Sequence, residues 1–437
     1  MKSRKLSRKG RRTTIITAAA ASVVAGAALL PNWSAGAASI ADDPTVDAKT
    51  KATFQRLADA VFTDRTDALV DKKAGGKKSL SSRFGGDVQV SSTLSHNQNT
   101  TLSQLHSRKT LLASLGEKYS AGKTAVKLDA TQVHGRNALV EVTETTTLTY
   151  EKVKGNQPKT TGFQAHHLLS FTADRNGNWQ LTKIADVDDS VAVNQVATPQ
   201  TGRTHGRPTP KATATAKASA SPTVKASPTP SASASTKASS TPTASAKATT
   251  TPDDGNPPEA TRSATTYPAA ANPKNFTASG YDYNAMVAYA AKYWNNYNPD
   301  YPDYSGEANG GDCTDFVSQV LKAGGWKHVP GYTNDFHKWF GTADIQSDSF
   351  VGVNEFSWFA LSSGRVTSLA NVYQADVGDV IQIDFNKDGS KDHSMIVTSR
   401  SSSGVPYVTY HSTNTYNRSL ASIIASYPNA AYYAYRT

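Results

Sequence analysis

The chain has 437 residues, with 46 Lys or Arg against 35 Asp or Glu, and a single cysteine, which excludes an internal disulfide. The net charge of +11 is concentrated: seven bases lie in the first twelve residues and seven more between Thr201 and Thr250, and removing these fourteen leaves 32 bases facing 35 acids. The rest of the chain is therefore not cationic, and nucleic-acid binding, which needs a clustered cationic face, loses its main support.

In chain order, the basic opening MKSRKLSRKGRR is followed by an uncharged stretch from Thr13 to Leu30, and then by the small residues Ala35-Gly36-Ala37. This three-part pattern predicts a signal peptide over residues 1–38, cleaved near Ala37 or Ala38, and hence a secreted protein. Arg11-Arg12 ahead of a weakly apolar core fits twin-arginine export. An uncleaved anchor is the alternative, but the run is Ala-rich rather than Leu-rich, so no permanent membrane anchor is expected.

Residues 43–196 read as an α+β domain. Phe54, Leu57, Ala58, Val61 and Phe62 recur at helical spacing, and so do Leu102, Leu105, Leu112 and Leu115. Alternating strand-like runs follow, two of them joined through Asn176-Gly177, a hairpin turn signal. Helices before long antiparallel strands resemble the cystatin-like or nuclear-transport-factor-like folds. His166 and His167 are adjacent, so on a strand they face opposite sides and do not converge on one metal ion.

Residues 197–268 are rich in Ala, Ser, Thr, Pro and Lys, and the run from Thr198 to Thr266 has no Leu, Ile, Phe or Trp. Such a stretch buries too little apolar surface to offset the entropy of ordering, so it reads as a disordered linker. Its bases suit an anionic wall polymer as partner.

Residues 272–437 form the second domain, which contains Cys313. Phe316, Val317, Val320 and Leu321 repeat at helical spacing and Gly324-Gly325 is a stop signal, so Cys313 falls in the first turn of a helix with Asp312 as N-cap. There the unpaired N–H groups and the positive dipole end favour thiolate, as a nucleophile requires. A base is then needed. His393, Met395 and Val397 alternate on one predicted strand, while Tyr407, Thr409 and His411 alternate on the next, and antiparallel pairing is expected to bring the two histidines onto one face. His328 and His337 lie in loop-like sequence and are not assigned. The turn "DFNKDG" places Asp384, Asn386, Asp388 and Asp392 at calcium-loop spacing, but Met395 stands where the loop needs Glu, so a polar hairpin turn is favoured over a metal site.

Three tracts, "YDYNAMVAYAAKYWNNYNPDY", "DCTDFVSQVLKAGG" and "GDVIQIDFNKDGSKDHSMIVT", together resemble the putative amidase domain family, a bacterial branch of the papain-like cysteine amidases and endopeptidases that includes cell-wall hydrolases. The resemblance covers about Tyr281 to Thr437. It implies a helix bearing Cys313 packed on an antiparallel sheet, with Cys313 as nucleophile and His393 as base. His411, with Asn414 as substitute, takes the third polar position. Asp315 departs from the family's usual Asn. Asp312, Tyr281 and Trp294 are the candidates for contacting substrate. No cofactor is implied, and with export the expected partner is peptidoglycan or another wall glycopeptide. A transglutaminase-like acyl transferase and a non-catalytic wall-binding module are the alternatives.

Overall fold

The computed structural model describes residues 46–71, 88–188, 190–196, 256–305 and 311–437. The expected signal peptide and the expected linker up to residue 255 lie outside the described residues; among the described residues no helix is long and apolar enough to cross a membrane.

The fold is mixed α+β around one large sheet that is antiparallel apart from a single parallel pair. In the N-terminal region, α1 (Ala48–Leu69) starts where the Asp47 carboxylate accepts from Thr50 N at 2.7 Å. It buries Phe54, Leu57, Ala58, Val61 and Phe62, the face read from their spacing. After β1 (Val88–Val90) comes α2 (Ser92–Ser114), capped by Ser91, which buries Leu105 and Leu112 but leaves Leu115 exposed. The long strands β2 (Tyr119–His134), β3 (Asn137–Tyr150), β4 (Thr160–Ala173) and β5 (Trp179–Asp186) then follow, and β5 pairs in parallel with β1. The turn between β4 and β5 is the one expected at Asn176-Gly177: Gly177 takes φ 83° and the Asp174 carboxylate accepts from Asn176 N and Asn178 N.

In the C-terminal region α3 (Tyr283–Tyr293), α4 (Cys313–Ala323), α5 (Asp348–Val351) and α6 (Val353–Ser362) precede most of the strands. These are β6 (Thr367–Leu369), β7 (Val380–Asp384), β8 (His393–Arg400), β9 (Pro406–Tyr410), β10 (Thr415–Ser419) and, after α7 (Leu420–Ser426), β11 (Ala431–Arg436). They pair in the order β10-β9-β8-β7-β11-β6. One face packs Ile396 and Tyr435 with Phe316, Val320 and Phe356 of the helices, while the other packs Met395, Val397, Val408 and Tyr410 with Leu420 and Ile423 of α7.

The two regions meet at β4. Its C-terminal half, from His167 on, pairs with β5, while Phe163 and Gly162 pair with Thr415 and Tyr416 of β10. The folded C-terminal region also begins before Asn272, inside the stretch that composition assigned to the linker. Ser263 N donates to Tyr432 O and Ala264 N to Ala370 O, both at 2.8 Å. Such a stretch has little apolar surface of its own, yet its backbone polar groups pair like any other.

Past β9 the backbone is unusual. Ser412, Thr413 and Asn417 have φ of 64°, 65° and 54°, a left-handed conformation that costs non-glycine residues about 1–3 kcal/mol each. For the β-branched Thr413 it is a true outlier.

Candidate active site

Cys313 is the first residue of α4. Phe316, Val317, Val320 and Leu321 are fully buried in the core with Trp339 and Phe350, so the amphipathic stripe fixes the helix and Cys313, itself 4 % exposed, is held at its start. Asp312 stands at the N-cap, but its side chain does not cap the helix. Its Oδ2 lies 2.5 Å from His411 Nδ1 and its Oδ1 accepts from Tyr304 N at 3.1 Å. Burial raises the Asp312 carboxyl above its ordinary pKa, and the hydrogen bond with His411 works against that rise.

His393 begins β8, and its ring lies edge-on to Tyr410 with centroids 4.8 Å apart. The starts of α4 and β8 are joined one residue further along each: Thr314 Oγ1 and Ser394 Oγ are 2.9 Å apart and fully buried. Ser394 also accepts from Gln382 Nε2 at 3.1 Å, while Gln382 donates to Val353 O and accepts from Tyr435. A closed polar chain therefore pins the neighbours of Cys313 and His393 to each other. Thr314, Ser394 and Gln382 were not singled out from the sequence; the only hint was a hydroxyl residue directly after both Cys313 and His393.

His411 lies elsewhere than expected. Ile396 pairs with Thr409 and Val397 with Val408, so Thr409 shares the face of Ile396 and not that of His393, and His411 falls in the turn just past the end of β9. The His411 ring accordingly stacks on Phe316 at 4.1 Å, on the helix-covered face, whereas His393 packs beside Tyr410 on the other. Both His411 nitrogens are engaged, since Nε2 donates to Tyr293 O at 2.8 Å and Nδ1 lies 2.5 Å from Asp312 Oδ2. Expectation and structure differ by a single residue of register. Asn414 is likewise taken up, accepting from Tyr297 OH at 3.0 Å and pairing through its backbone oxygen with Gln164 N of β4.

Asp315 is fully buried in the first turn of α4 and accepts from Gln319 Nε2 at 3.0 Å. Burial, with the charge of Asp312 second, drives its carboxyl well above the ordinary range. A protonated Asp has the shape of Asn and likewise offers a donor.

The substrate-contact candidates are dispersed. Tyr281 packs near Trp326, at the end of α3 remote from Tyr293 by about 15 Å at helical rise. Trp294 stacks on Tyr416 and lies against Gly162, so it fills the junction with β4. A cleft of about 500 Å³ is lined by Tyr289, Asn298, Tyr301, Gln319, Lys322 and Thr342. It opens along the flank of α4, starting about 9 Å in helical rise from Cys313, and so does not coincide with the thiol.

In the turn after β7, Asp384 Oδ2 accepts from Gly389 N, Asp388 Oδ1 from Ser390 N and Asp392 Oδ2 from Phe385 N. Asn386 closes on Asp388. These side chains bind the loop's own amides, and among the described residues no cluster of His, Cys, Asp and Glu is arranged to hold a metal ion.

Cys313 at the start of α4 and His393 at the start of β8, whose next residues Thr314 and Ser394 are bonded to each other, lie in a region with known relatives. Residues 280–435 match the family described as "Putative amidase domain", the family that the three tracts resemble. Over 148 residues the chain is 33 % identical to "Uncharacterized protein YjcM" of Bacillus subtilis, covering 32 % of each chain. Over 131 residues it is 32 % identical to "Uncharacterized protein YhbB" of the same organism, covering 29 % of this chain and 40 % of the relative. The match thus spans less than half of either relative. The solved intermembrane-space region of chloroplast protein ARC6 aligns with 33 % of this chain and 98 % of its own at 15 % identity, with a TM-score of 0.21.

Proposed function

We propose that the chain is an exported cysteine amidohydrolase that cleaves amide bonds in peptidoglycan, with Cys313 as nucleophile and His393 as base in a papain-like arrangement. The observation that carries this reading is the 2.9 Å contact between the Thr314 and Ser394 hydroxyls, which ties the residues that follow Cys313 and His393 to each other within the region that matches the putative amidase domain.

In the first step His393 takes the thiol proton and Sγ attacks the carbonyl carbon. The backbone N–H groups at the start of α4 are suited to hold the oxyanion. His393 then returns its proton to the leaving nitrogen, which departs as an amine and leaves a thioester. Water attacks the thioester, His393 accepts its proton, and the acid and the free thiol are regenerated. His411 has no part in orienting His393 here, because its two nitrogens serve Asp312 and Tyr293. The wall as substrate source follows from the signal peptide and the basic linker.

The test is the release of new amino groups from purified peptidoglycan. The wild type should release them, while Cys313→Ala and His393→Ala should each abolish release and keep the fold, since nucleophile and base act as a unit. Undiminished release by Cys313→Ala would refute the reading. Consumption of added amines without release would indicate an acyl transferase, and retention on the wall without either would indicate a binding module.

A further inference from the structure

Residues 190–196, the segment that leaves β5, reach in two directions. Toward the N-terminal region, Asn194 Nδ2 donates to Glu144 at 2.7 Å, Gln195 Nε2 to Asp186 at 3.3 Å, and Arg108 to the Val193 and Gln195 carbonyls. Toward the amidase-like region, the Ser190 hydroxyl donates to Ser412 O at 2.6 Å, and Thr413 Oγ1 donates to Ser190 O. Val191 N donates to Tyr427 OH at 2.5 Å, and the buried Arg418 donates to Val191 O at 2.7 Å.

The residues held this way are strained. Ser412 and Thr413, both left-handed, directly follow His411. Such residues persist only where their surroundings over-determine them. Here part of those surroundings comes from a segment over 200 positions earlier in the chain. His411 in turn holds Asp312, the residue before Cys313.

We propose that residues 190–196 are a positioning clamp: through Ser190, Ser412 and Thr413 they fix His411 on Asp312, so the N-terminal region is a working part of the catalytic unit. The proposal rests on Cys313 being the nucleophile. A fixed His411 holds its hydrogen bond to the Asp312 carboxylate and offsets a negative charge that would otherwise disfavour thiolate at the adjacent residue. The other groups bearing on this pair are Asp303, Asp315 and the phenols of Tyr297 and Tyr304.

The experiment measures the rate of Cys313 alkylation by iodoacetamide against pH in the full-length protein, which needs no substrate, with circular dichroism melting as the check on folding. Ser190→Ala should fold, and its alkylation midpoint should rise by about 0.5 in pH, which slows alkylation at neutral pH about threefold. Ser190→Thr, which keeps the hydroxyl, should retain the wild-type profile. In a His411→Gln background, Ser190→Ala should add no further shift, because the route through His411 is already altered. A folded Ser190→Ala protein with the wild-type profile, or a shift that persists in full in the His411→Gln background, would overturn the clamp. Should Ser190→Ala not fold, Tyr427→Phe releases Val191 N and is judged by the same two outcomes. An ordinary thiol profile in the wild type, with a midpoint near about 8.5, would sink the nucleophile and the clamp together. An early profile that Ser190→Ala leaves unmoved would sink the clamp alone.

Discussion

Replacing His167 should make the protein's stability lose a pH-dependent component whose size follows from its surroundings. The imidazole is buried inside the N-terminal region, with Nδ1 at 2.9 Å from Asp186 and Nε2 at 3.1 Å from Glu144. Burial opposes its charge, but the two carboxylates outweigh burial and raise its pKa to about 9 from 6.5. The folded state thus binds the proton more tightly than the unfolded chain. The stabilisation is fully present below about pH 6.5, falls as pH rises, and is gone above about 9, amounting to about 3 kcal/mol at 1.36 kcal/mol per pH unit. With the ring only 1 % exposed, solvent screening takes little from this figure. Urea unfolding of the wild type and of His167→Gln from pH 6 to pH 10 should show the gap between them narrowing by that amount as pH rises. A gap of equal size at both ends would refute the assignment of an imidazolium held by two carboxylates. Since Asn194 and Gln195 bond to those same carboxylates, the alkaline loss should also loosen residues 190–196.

Phe316→Ala should lower stability by about 3–5 kcal/mol, read by denaturant melts, because the ring is fully buried and stacks on His411. A loss below about 1 kcal/mol would mean that the site collapses around the gap. Limited proteolysis should cut within residues 197–255, as composition predicts for a linker, and spare residues 263–264, which are paired to Ala370 and Tyr432. The two fragments should co-elute in gel filtration, because β4 pairs with β10 and Trp294 packs on Gly162; fragments that separate would count against that junction.

Local features of this protein were legible from residues close together in the chain. Cys313 at a helix start followed from the stripe Phe316, Val317, Val320 and Leu321, and α1 from Phe54 through Phe62, because a 3.6-residue period is a short-range property. The turn at Asn176-Gly177 was legible for the same reason, since a left-handed glycine is demanded within four residues. The alternation of His393 with Met395 was also correct, whereas His411, expected on the strand of Thr409, lies in the turn just past β9. Tertiary structure alone decided how those strands met. Pairing Thr409 with Ile396 turns the expected shared face into opposite faces for the two histidines, and a period of two makes one residue of register enough to do it. The same holds for β4 against β10 and for residues 190–196 against Ser412. Backbone edges and carbonyls carry no mark in the sequence of the partner they will find, so those contacts exist only once both regions have folded together.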